Sequence, residues 1–252
     1  MESFTIPRLA SLAHPQRLAI FRLLVRRFPD AVPAGEIATV LDLRPSTLSA
    51  YLANLLSARL VGQTRAGTSL LYRADTDGIA AFTEDLFIDC CGGRPDLCPT
   101  LPTPRPIGDV TMSDRYNVLF ICTGNSARSI FAETLMRSQY GDRFAVHSAG
   151  TRPQSELNPF AVDLLRAKGH DVSALRAKHV SEFQGEGAPT LDFVFTVCNL
   201  AANEECPSWD GQPIRAHWGM PDPVKAEGTH AEKSLAFQQA YGALKHRIEA
   251  FA

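Results

Sequence analysis

The sequence predicts two domains of different fold class, an N-terminal α+β winged helix-turn-helix and a C-terminal α/β domain whose parallel sheet is flanked by helices. The chain has 252 residues, whereas a single domain usually holds ~100–200. A proline-rich stretch over 95–106 favours an extended linker. Helical spacing of apolar residues before this stretch changes to alternating strands and helices after it. We therefore predict domains at 1–98 and 115–252 and a linker at 99–114, with a proline-rich surface loop inside one domain as the alternative.

The N-terminal part has the pattern of a helix-turn-helix followed by a hairpin. Two predicted helices are separated by a four-residue break that ends at Pro45, a residue that fits the first turn of a helix. The hairpin has Ala66 and Gly67 at its tip. In chain order we predict helices over 18–25, 34–41 and from 45, a hairpin over 61–73 and a closing helix over 75–90.

The C-terminal part alternates apolar strand runs with helical segments. Such alternation indicates a parallel sheet covered by helices, in which ligands bind at the carboxyl ends of the strands. The predicted strands are 117–121, 144–147, 192–197 and 214–217, and the predicted helices are about 129–140, 156–168 and 229–251.

Composition excludes several classes of protein. Hydrophobic residues make up 45% and charged residues 21%, and the net charge is −2, which argues against a disordered, collagen-like or histone-type chain. No apolar run approaches the ~18–20 residues of a membrane span, and residues 1–5 lack the pattern of a signal peptide. We therefore expect a cytoplasmic protein without a membrane partner. In that reducing compartment, the six cysteines are expected to react or ligate rather than to pair.

Charge is distributed unevenly along the chain. Residues 1–74 hold nine arginines, no lysine and four acidic residues, a balance of +5. Residues 75–98 hold six acidic residues and one arginine, a balance of −5. The basic block predicts a surface that attracts a polyanion.

A short segment over 118–129 carries the strongest chemical signal. It runs from an apolar strand through a tight loop into a helix and places Cys122 at the centre of an anion cradle, in which Arg128 can grip two oxygens. This environment is expected to lower the thiol pKa, while Ser129 donates to the sulfur and Asn125 braces the loop. A buried cysteine beside a surface arginine is the alternative. The expected oxyanion-binding residues are Thr123, Gly124, Asn125, Ser126, Ala127, Arg128 and Ser129.

Residues 115–252 resemble the low-molecular-weight tyrosine-phosphatase fold, and more closely its arsenate-reductase branch. The resemblance implies that Asp222 is the general acid for the leaving oxygen, whereas a turn residue between two prolines is the alternative. It is carried by the loop 122–129, by His147-Ser148-Ala149-Gly150, Thr196-Val197-Cys198 and Cys206-Pro207, and by His217-Trp218-Gly219 with Pro221-Asp222-Pro223.

Two further thiols favour reduction over hydrolysis. Reduction of arsenate needs a second thiol to attack the Cys122–arsenic adduct, and the resemblance implies that Cys198 does so. Cys206 then attacks the disulfide or passes it to an external thiol. The spacing between Cys198 and Cys206 is one residue longer than in thioredoxin-coupled relatives, so thioredoxin and glutaredoxin both remain possible donors. No cofactor is expected for catalysis, and two unrelated core cysteines are the alternative.

The loop also resembles one beside which some relatives bind a monovalent cation. Asn125, Glu133 and Ser148 match ligand positions. Lys178 falls near the remaining acidic ligand, so that its ammonium could replace the ion. Ordinary surface charges at Glu133 and Lys178 are the alternative.

Residues 4–98 resemble the arsenic-responsive winged-helix repressor family, on the segments 9–18 and 45–49. The resemblance implies that the helix from Pro45 enters the major groove of operator DNA and that Arg65 on the wing touches the backbone or minor groove. It also implies a homodimer formed by the first and last helices of the domain. Plain solvated surface is the alternative for each side chain. The candidate DNA contacts are Ser46, Thr47, Ser49, Asn54 and Arg65.

Three cysteines follow the predicted closing helix. Cys90 and Cys91 are adjacent, and Cys98 returns after a Gly-Gly bend. Together they can form a three-sulfur pyramid around arsenite, a soft trivalent ion. A zinc clip or disordered free thiols are the alternatives, although a fourth zinc ligand is not evident locally.

We therefore interpret the chain as an arsenite-responsive repressor fused to an arsenate reductase. The expected partners are operator DNA, arsenate, arsenite and a thioredoxin or glutaredoxin system. One rival is a protein tyrosine phosphatase fused to a DNA-binding regulator, which would favour an aromatic residue where the chain has Val224. A second rival is a repressor whose C-terminal domain senses an oxyanion without turnover.

Overall fold

The computed structural model describes residues 4–90, 115–204, 209 and 211–252. The chain divides into two compact units, Met1–Thr103 and Pro104–Ala252. Each unit has its own core of buried apolar side chains. This confirms the predicted two-domain organisation, while the predicted linker 99–114 lies outside the described residues.

Helices dominate the N-terminal unit, and their ends carry the expected signals. Pro15 and Pro45 each occupy the first turn of a helix, where a missing backbone donor costs nothing. The Asp75 side chain caps another helix by accepting from the amide of Gly78. The helices are α1 (Thr5–Leu12), α2 (Pro15–Arg27), α3 (Ala34–Val40), α4 (Pro45–Ser57) and α5 (Thr76–Glu84).

A small antiparallel sheet completes this unit. Its strands β1 (Val32–Pro33), β2 (Val61–Ala66) and β3 (Ser69–Ala74) lie in the order β1-β3-β2. Gly67, with a φ of +60°, supplies the left-handed residue at the hairpin tip. The predicted helix-turn-helix and wing are thus confirmed.

The closing helix differs from the prediction. The α-helix ends at Glu84, and Asp85–Cys90 continue as wider π-helical turns. At the change, the Asp85 carboxylate accepts from the Thr5 hydroxyl at 3.0 Å and lies 3.5 Å from Nη1 of the buried Arg8. These contacts come from α1, an element that the sequence did not predict.

A four-stranded parallel sheet forms the centre of the C-terminal unit, as predicted. The strands lie in the order β5-β4-β6-β7, and each pair of neighbours is parallel. The strands are β4 (Tyr116–Cys122), β5 (Phe144–Gly150), β6 (Phe193–Thr196) and β7 (Ile214–His217), and the helices are α6 (Arg128–Tyr140), α7 (Pro159–Ala167), α8 (Asn199–Asn203) and α9 (His230–Phe251).

Burial explains why β4 reads as an unbroken apolar run. Val118, Leu119, Phe120 and Ile121 are all at most 1% exposed, because helices cover both faces of the sheet. Residue 122 therefore lies at the buried carboxyl end of a central strand. Among the helices of the described residues, none is both long and apolar enough to cross a membrane.

Candidate active site

The loop between β4 and α6 turns its carbonyl groups outward. The carbonyls of Cys122, Thr123, Gly124 and Ser126 accept from the amides of residues 151, 152, 154 and 158, which follow β5. With these acceptors directed away, the Asn125 amide faces the thiol and donates to the Cys122 sulfur. A backbone donor at this position is suited to an oxyanion.

Two residues give the loop its shape. Asn125 is fully buried and has a φ of +44°, a left-handed conformation uncommon outside glycine. Gly150 lies so close to the loop that a Cβ would meet the Thr123 carbonyl oxygen at 2.6 Å. A larger residue at Gly150 would push the loop out of place.

Cys122 is buried among hydrogen-bonding groups. Its sulfur lies 3.0 Å from the Ser129 hydroxyl and 3.1 Å from the Asn125 amide, which donates to it. Burial nevertheless raises the pKa of the Cys122 thiol, and Cys198 raises it further. Ser129 and Arg128 lower the pKa by less. The expectation of a lowered pKa is therefore wrong, because burial removes the water that would solvate a thiolate.

Arg128 and Asp222 form an ion pair over the loop. The Arg128 Nη2 atom lies 2.8 Å from Asp222 Oδ2, and its Nη1 atom donates to the Met220 carbonyl at 3.4 Å. The Asp222 carboxylate also accepts from the Val224 amide at 3.2 Å, capping the short 3₁₀ turn Pro223–Lys225. Asp222 is thus a turn residue that also lies beside Arg128, and its role as a general acid stays a prediction.

The second thiol comes to the same edge of the sheet. Cys198 is 1% exposed and caps α8 by accepting from the Ala201 amide at 3.4 Å. Its sulfur lies 3.4 Å from the Thr123 hydroxyl of the loop. The parallel register that pairs Ile121 with Thr196 brings the two thiols to neighbouring strand ends. Cys206 lies outside the described residues.

A chain of hydrogen-bonded polar side chains connects the loop to β5 and α6. The Asn125 amide group donates at 2.8 Å to both the Ser129 and the Ser148 hydroxyls. The Ser148 hydroxyl in turn donates at 2.5 Å to the buried carboxylate of Glu133. The Lys178 ammonium lies 3.0 Å from the same carboxylate oxygen and is only 11% exposed.

This geometry does not fit a monovalent cation beside the loop. The Lys178 ammonium and the Arg137 guanidinium both pair with the Glu133 carboxylate. A metal ion at this position would be repelled by the fixed positive charge of the lysine. The alternative of ordinary surface charges is also wrong, since Glu133 is 5% exposed.

The structure adds residues that the sequence did not single out for a role. His217 lies between Thr196 and Asn199, which stand two residues before and one residue after Cys198. Arg152 pairs with Glu204 just after α8 at 2.5 Å. No local signal could have found these pairs, because the partners are 18 to 52 residues apart.

The candidate DNA-contacting surface lies on α4 and the wing. Ser46, Ser49 and Asn54 are exposed, and Thr47 is half-buried. Ser49 and Asn54 currently donate to backbone carbonyls one turn back on α4. Arg65 is exposed on β2 and donates to the Gly67 carbonyl. Arg44, exposed immediately before α4, is a further cation that the sequence interpretation missed.

Of the three cysteines of the predicted arsenite site, the described residues include one. Cys90 is an exposed free thiol at the end of the π-helical turns, whereas Cys91 and Cys98 lie outside the described residues. Within the described ranges, no group of three or more His, Cys, Asp or Glu side chains could hold a metal ion.

Fold and site together define an α/β enzyme domain with a cysteine in an oxyanion-binding loop, joined to a helix-turn-helix domain. Residues 117–252 match the family of low molecular weight phosphotyrosine protein phosphatases, and the chain belongs to this family. Residues 12–63 match a helix-turn-helix domain family.

The relatives of the C-terminal domain include arsenate reductases. The arsenate reductase of Bacillus licheniformis is 39% identical over 138 residues, covering 55% of this chain and 96% of the relative. That of Bacillus subtilis is 36% identical over 135 residues, covering 54% and 94%. A solved arsenate reductase in its oxidized state is 26% identical with a TM-score of 0.44, covering 53% of this chain and 94% of that one.

Proposed function

We propose that this protein is an arsenate reductase fused to a DNA-binding repressor that responds to arsenite. The position of Cys198 carries the enzymatic part of the proposal. A phosphatase needs one nucleophilic thiol, whereas this site holds a second buried thiol whose sulfur touches the catalytic loop through Thr123. The arsenate reductases among the relatives support the same substrate.

The first step joins Cys122 to arsenic. Loop amides and Arg128 bind the tetrahedral arsenate, as they would phosphate. The Cys122 sulfur attacks arsenic, and one arsenic–oxygen bond breaks so that the oxygen leaves as water. The thiol proton passes to the oxyanion as the sulfur–arsenic bond forms, and Asp222, once it carries a proton from solvent, supplies the second proton to the leaving oxygen.

The second step reduces arsenic. Cys198 attacks the Cys122 sulfur, a disulfide forms and the sulfur–arsenic bond breaks with its electron pair left on arsenic. Arsenic(V) becomes arsenic(III) and leaves as arsenite, while the Cys198 thiol loses its proton. In sum, arsenate and two thiols give arsenite, one disulfide and water.

Cys206 and an external reductant would complete the cycle. Cys206 attacks the Cys122–Cys198 disulfide, and thioredoxin or a glutaredoxin system removes the resulting Cys198–Cys206 disulfide. These donors are cytoplasmic, which is where we place the protein. No cofactor is required for catalysis.

Arsenite production by the full chain tests this function. With thioredoxin or glutaredoxin supplied separately, the protein should turn over arsenate with one of the two donors. Cys122→Ser should abolish both arsenate reduction and arylphosphate hydrolysis, whereas Cys198→Ser should abolish reduction alone. Repeated turnover of arsenate by Cys198→Ser would contradict the disulfide relay.

The tyrosine-phosphatase alternative makes a different prediction. Asp222 beside Arg128 is suited to protonating a leaving oxygen, so weak arylphosphate hydrolysis is expected. Val224, 49% exposed, offers an aliphatic side chain where an aromatic ring would grip phosphotyrosine. Efficient phosphotyrosine hydrolysis without arsenate reduction would favour the alternative. Oxyanion binding without either activity would favour a purely sensing domain.

The N-terminal domain is proposed to bind operator DNA as a homodimer. The exposed polar face of α4 would enter the major groove, and the basic balance of residues 1–74 supplies attraction to phosphate. Ile6 and Leu9 on α1 are 72% and 43% exposed, and Ile88 near the end of the domain is 63% exposed. A second copy of the chain would cover these apolar side chains.

Arsenite is proposed to release the DNA by binding Cys90, Cys91 and Cys98. In the intact protein, Cys90→Ser/Cys91→Ser should keep the repressor on operator DNA when arsenite is added, without changing the salt dependence of binding. Fluorescence anisotropy of a labelled operator measures both quantities. Unimpaired release from the double variant would place the inducer site elsewhere.

A further inference from the structure

A buried histidine contacts one residue on each side of the second thiol in the chain. His217 is 3% exposed at the end of β7. Its Nδ1 atom lies 2.8 Å from the Thr196 hydroxyl, and its Nε2 atom lies 3.3 Å from the Asn199 side-chain oxygen. Thr196 precedes Cys198 by two residues, and Asn199 follows it directly. The imidazole thus spans the segment that carries the sulfur.

The sheet fixes the position of this imidazole. Residue 217 pairs with Thr196 in the parallel register of β6 and β7, and the Trp218 amide donates to the Thr196 carbonyl at 2.8 Å. The Trp218 ring stacks on Phe195, with centroids 4.1 Å apart. The backbone of His217 is therefore held in register against β6.

The imidazole also contacts the start of α8, a helix that is too short to be stable by itself. The helix α8 has only five residues, and isolated helices shorter than ~12 residues are marginal in water. The ion pair at its far end, Arg152 with Glu204, is exposed and therefore weak. The position of α8 and of its cap Cys198 thus depends on contacts with the sheet, such as the partly buried one between His217 and Asn199.

We propose that His217 is a positioning residue for the second thiol. It fixes Thr196 and Asn199 so that the Cys198 sulfur stays beside the loop and can attack the Cys122 sulfur. The inference rests on the proposed arsenate reduction and adds a residue to it. The contacts with Thr196 and Asn199 place the imidazole against the segment that carries the second thiol. The second step should therefore depend on the imidazole much more than the first.

Two variants of the full chain test the role. His217→Leu removes the hydrogen bonds of the imidazole to Thr196 and Asn199. Asn199→Ala removes the partner at the exposed start of α8, where folding is not at risk. Both are made in a Cys206→Ser background, which stops the reaction at the Cys122–Cys198 disulfide. Leu200→Ala, 50% exposed on the same helix, is the matched control.

The readouts separate the two steps. Oxyanion binding is measured as the protection that phosphate gives Cys122 against an alkylating reagent. The second step is measured as the rate of Cys122–Cys198 disulfide formation after arsenate is added. Because misplacement by ~1 Å can cost ~10²-fold in rate, disulfide formation should fall about 10–100-fold in both variants. Phosphate protection should stay within about twofold, and His217→Gln, which keeps a hydrogen-bonding amide, should recover part of the rate.

Alkylation of Cys198 adds a readout that needs no arsenate. Loosening of α8 should make this buried thiol react faster in His217→Leu and Asn199→Ala but not in Leu200→Ala. Equal losses of phosphate protection and disulfide formation would overturn the positioning role, as would an unchanged disulfide rate. If the parent protein binds phosphate but forms no disulfide with arsenate, the proposed arsenate reduction is wrong. The proposed role of His217 in it is then wrong too.

Discussion

Arg128 and Asp222 are joined across the catalytic loop by an ion pair of 2.8 Å, although the two residues lie 94 positions apart in the chain. The guanidinium that should bind an oxyanion is therefore already paired with Asp222, whose carboxyl group should protonate the leaving oxygen once it has left the guanidinium and taken up a proton. Their side chains are 10% and 23% exposed, so water screens the pair only in part. An incoming oxyanion has to compete with Asp222 for Arg128. Once it is bound to Arg128, the oxyanion lies next to the Asp222 carboxyl group.

Asp222→Asn should separate binding from proton transfer. The amide removes a negative charge that competes for Arg128, and asparagine can still cap the turn at Val224. Phosphate should therefore inhibit the variant at least as strongly as the parent. Arylphosphate kcat should fall ~10²-fold or more, the usual contribution of a general acid. Steady-state kinetics with phosphate as competitor measures both, with the exposed Glu227→Gln as control; weaker inhibition of Asp222→Asn would contradict the competition.

The raised pKa of Cys122 predicts the pH dependence of its reactivity. The rate of alkylation by iodoacetamide should rise with pH and show no plateau below the ordinary thiol value of 9.0. Since Cys198 raises the pKa, Cys198→Ser should shift the profile to lower pH. Since Ser129 lowers the pKa, Ser129→Ala should shift it to higher pH. Mass spectrometry of the Cys122 peptide follows the reaction, and a plateau at neutral pH would show that the loop stabilises a thiolate.

Lys178 should make the enzyme indifferent to potassium. Arsenate reduction by the parent should be the same in potassium and sodium salts at equal ionic strength. Lys178→Met removes one partner of a buried ion pair and should lower the free energy of unfolding by ~3 kcal/mol, a loss that potassium should partly reverse by taking the place of the ammonium. Urea denaturation in each salt provides the measurement.

Arg176→Met is the matched control for this experiment. Arg176 pairs with Glu182 on the surface, with side chains 61% and 40% exposed, so its loss should cost about 1 kcal/mol or less. It should also leave the variant insensitive to potassium. Stimulation of the parent enzyme by potassium would show that an ion, rather than Lys178, neutralises Glu133.

Fusion of the two domains predicts that arsenate induces only after reduction. Arsenate and phosphate have the same shape and charge, whereas arsenite is selected by thiols. In the intact protein, arsenate should release operator DNA only when the thiol reductant is present, while arsenite should act without it. Cys122→Ser should respond to arsenite alone. Release of DNA from Cys122→Ser by arsenate would show that the domain senses the oxyanion itself.

The sequence by itself determined the elements and the catalytic loop. Hydrophobic periodicity located β4, β5, β6 and β7 to within a few residues, because the side-chain pattern of an element buried on one or both faces is written locally. The oxyanion loop could be read from the sequence because its residues are contiguous from Cys122 to Ser129. The short elements α1, β1 and α8 were missed, since each is held by distant contacts more than by its own pattern.

Only the tertiary structure decided how the functional groups meet. Strand order and register bring Cys198 to the loop and set His217 against Thr196 and Asn199 on either side of it. Periodicity encodes neither strand order nor register. The sequence also predicted a lowered pKa for Cys122, whereas the structure gives a raised one. The hydrogen-bond donors near the thiol can be read from the sequence, but the degree of its burial cannot. The placement of Lys178 on Glu133 was suggested by sequence, yet only the packing of the loop against α6 shows that an ammonium neutralises a buried carboxylate there.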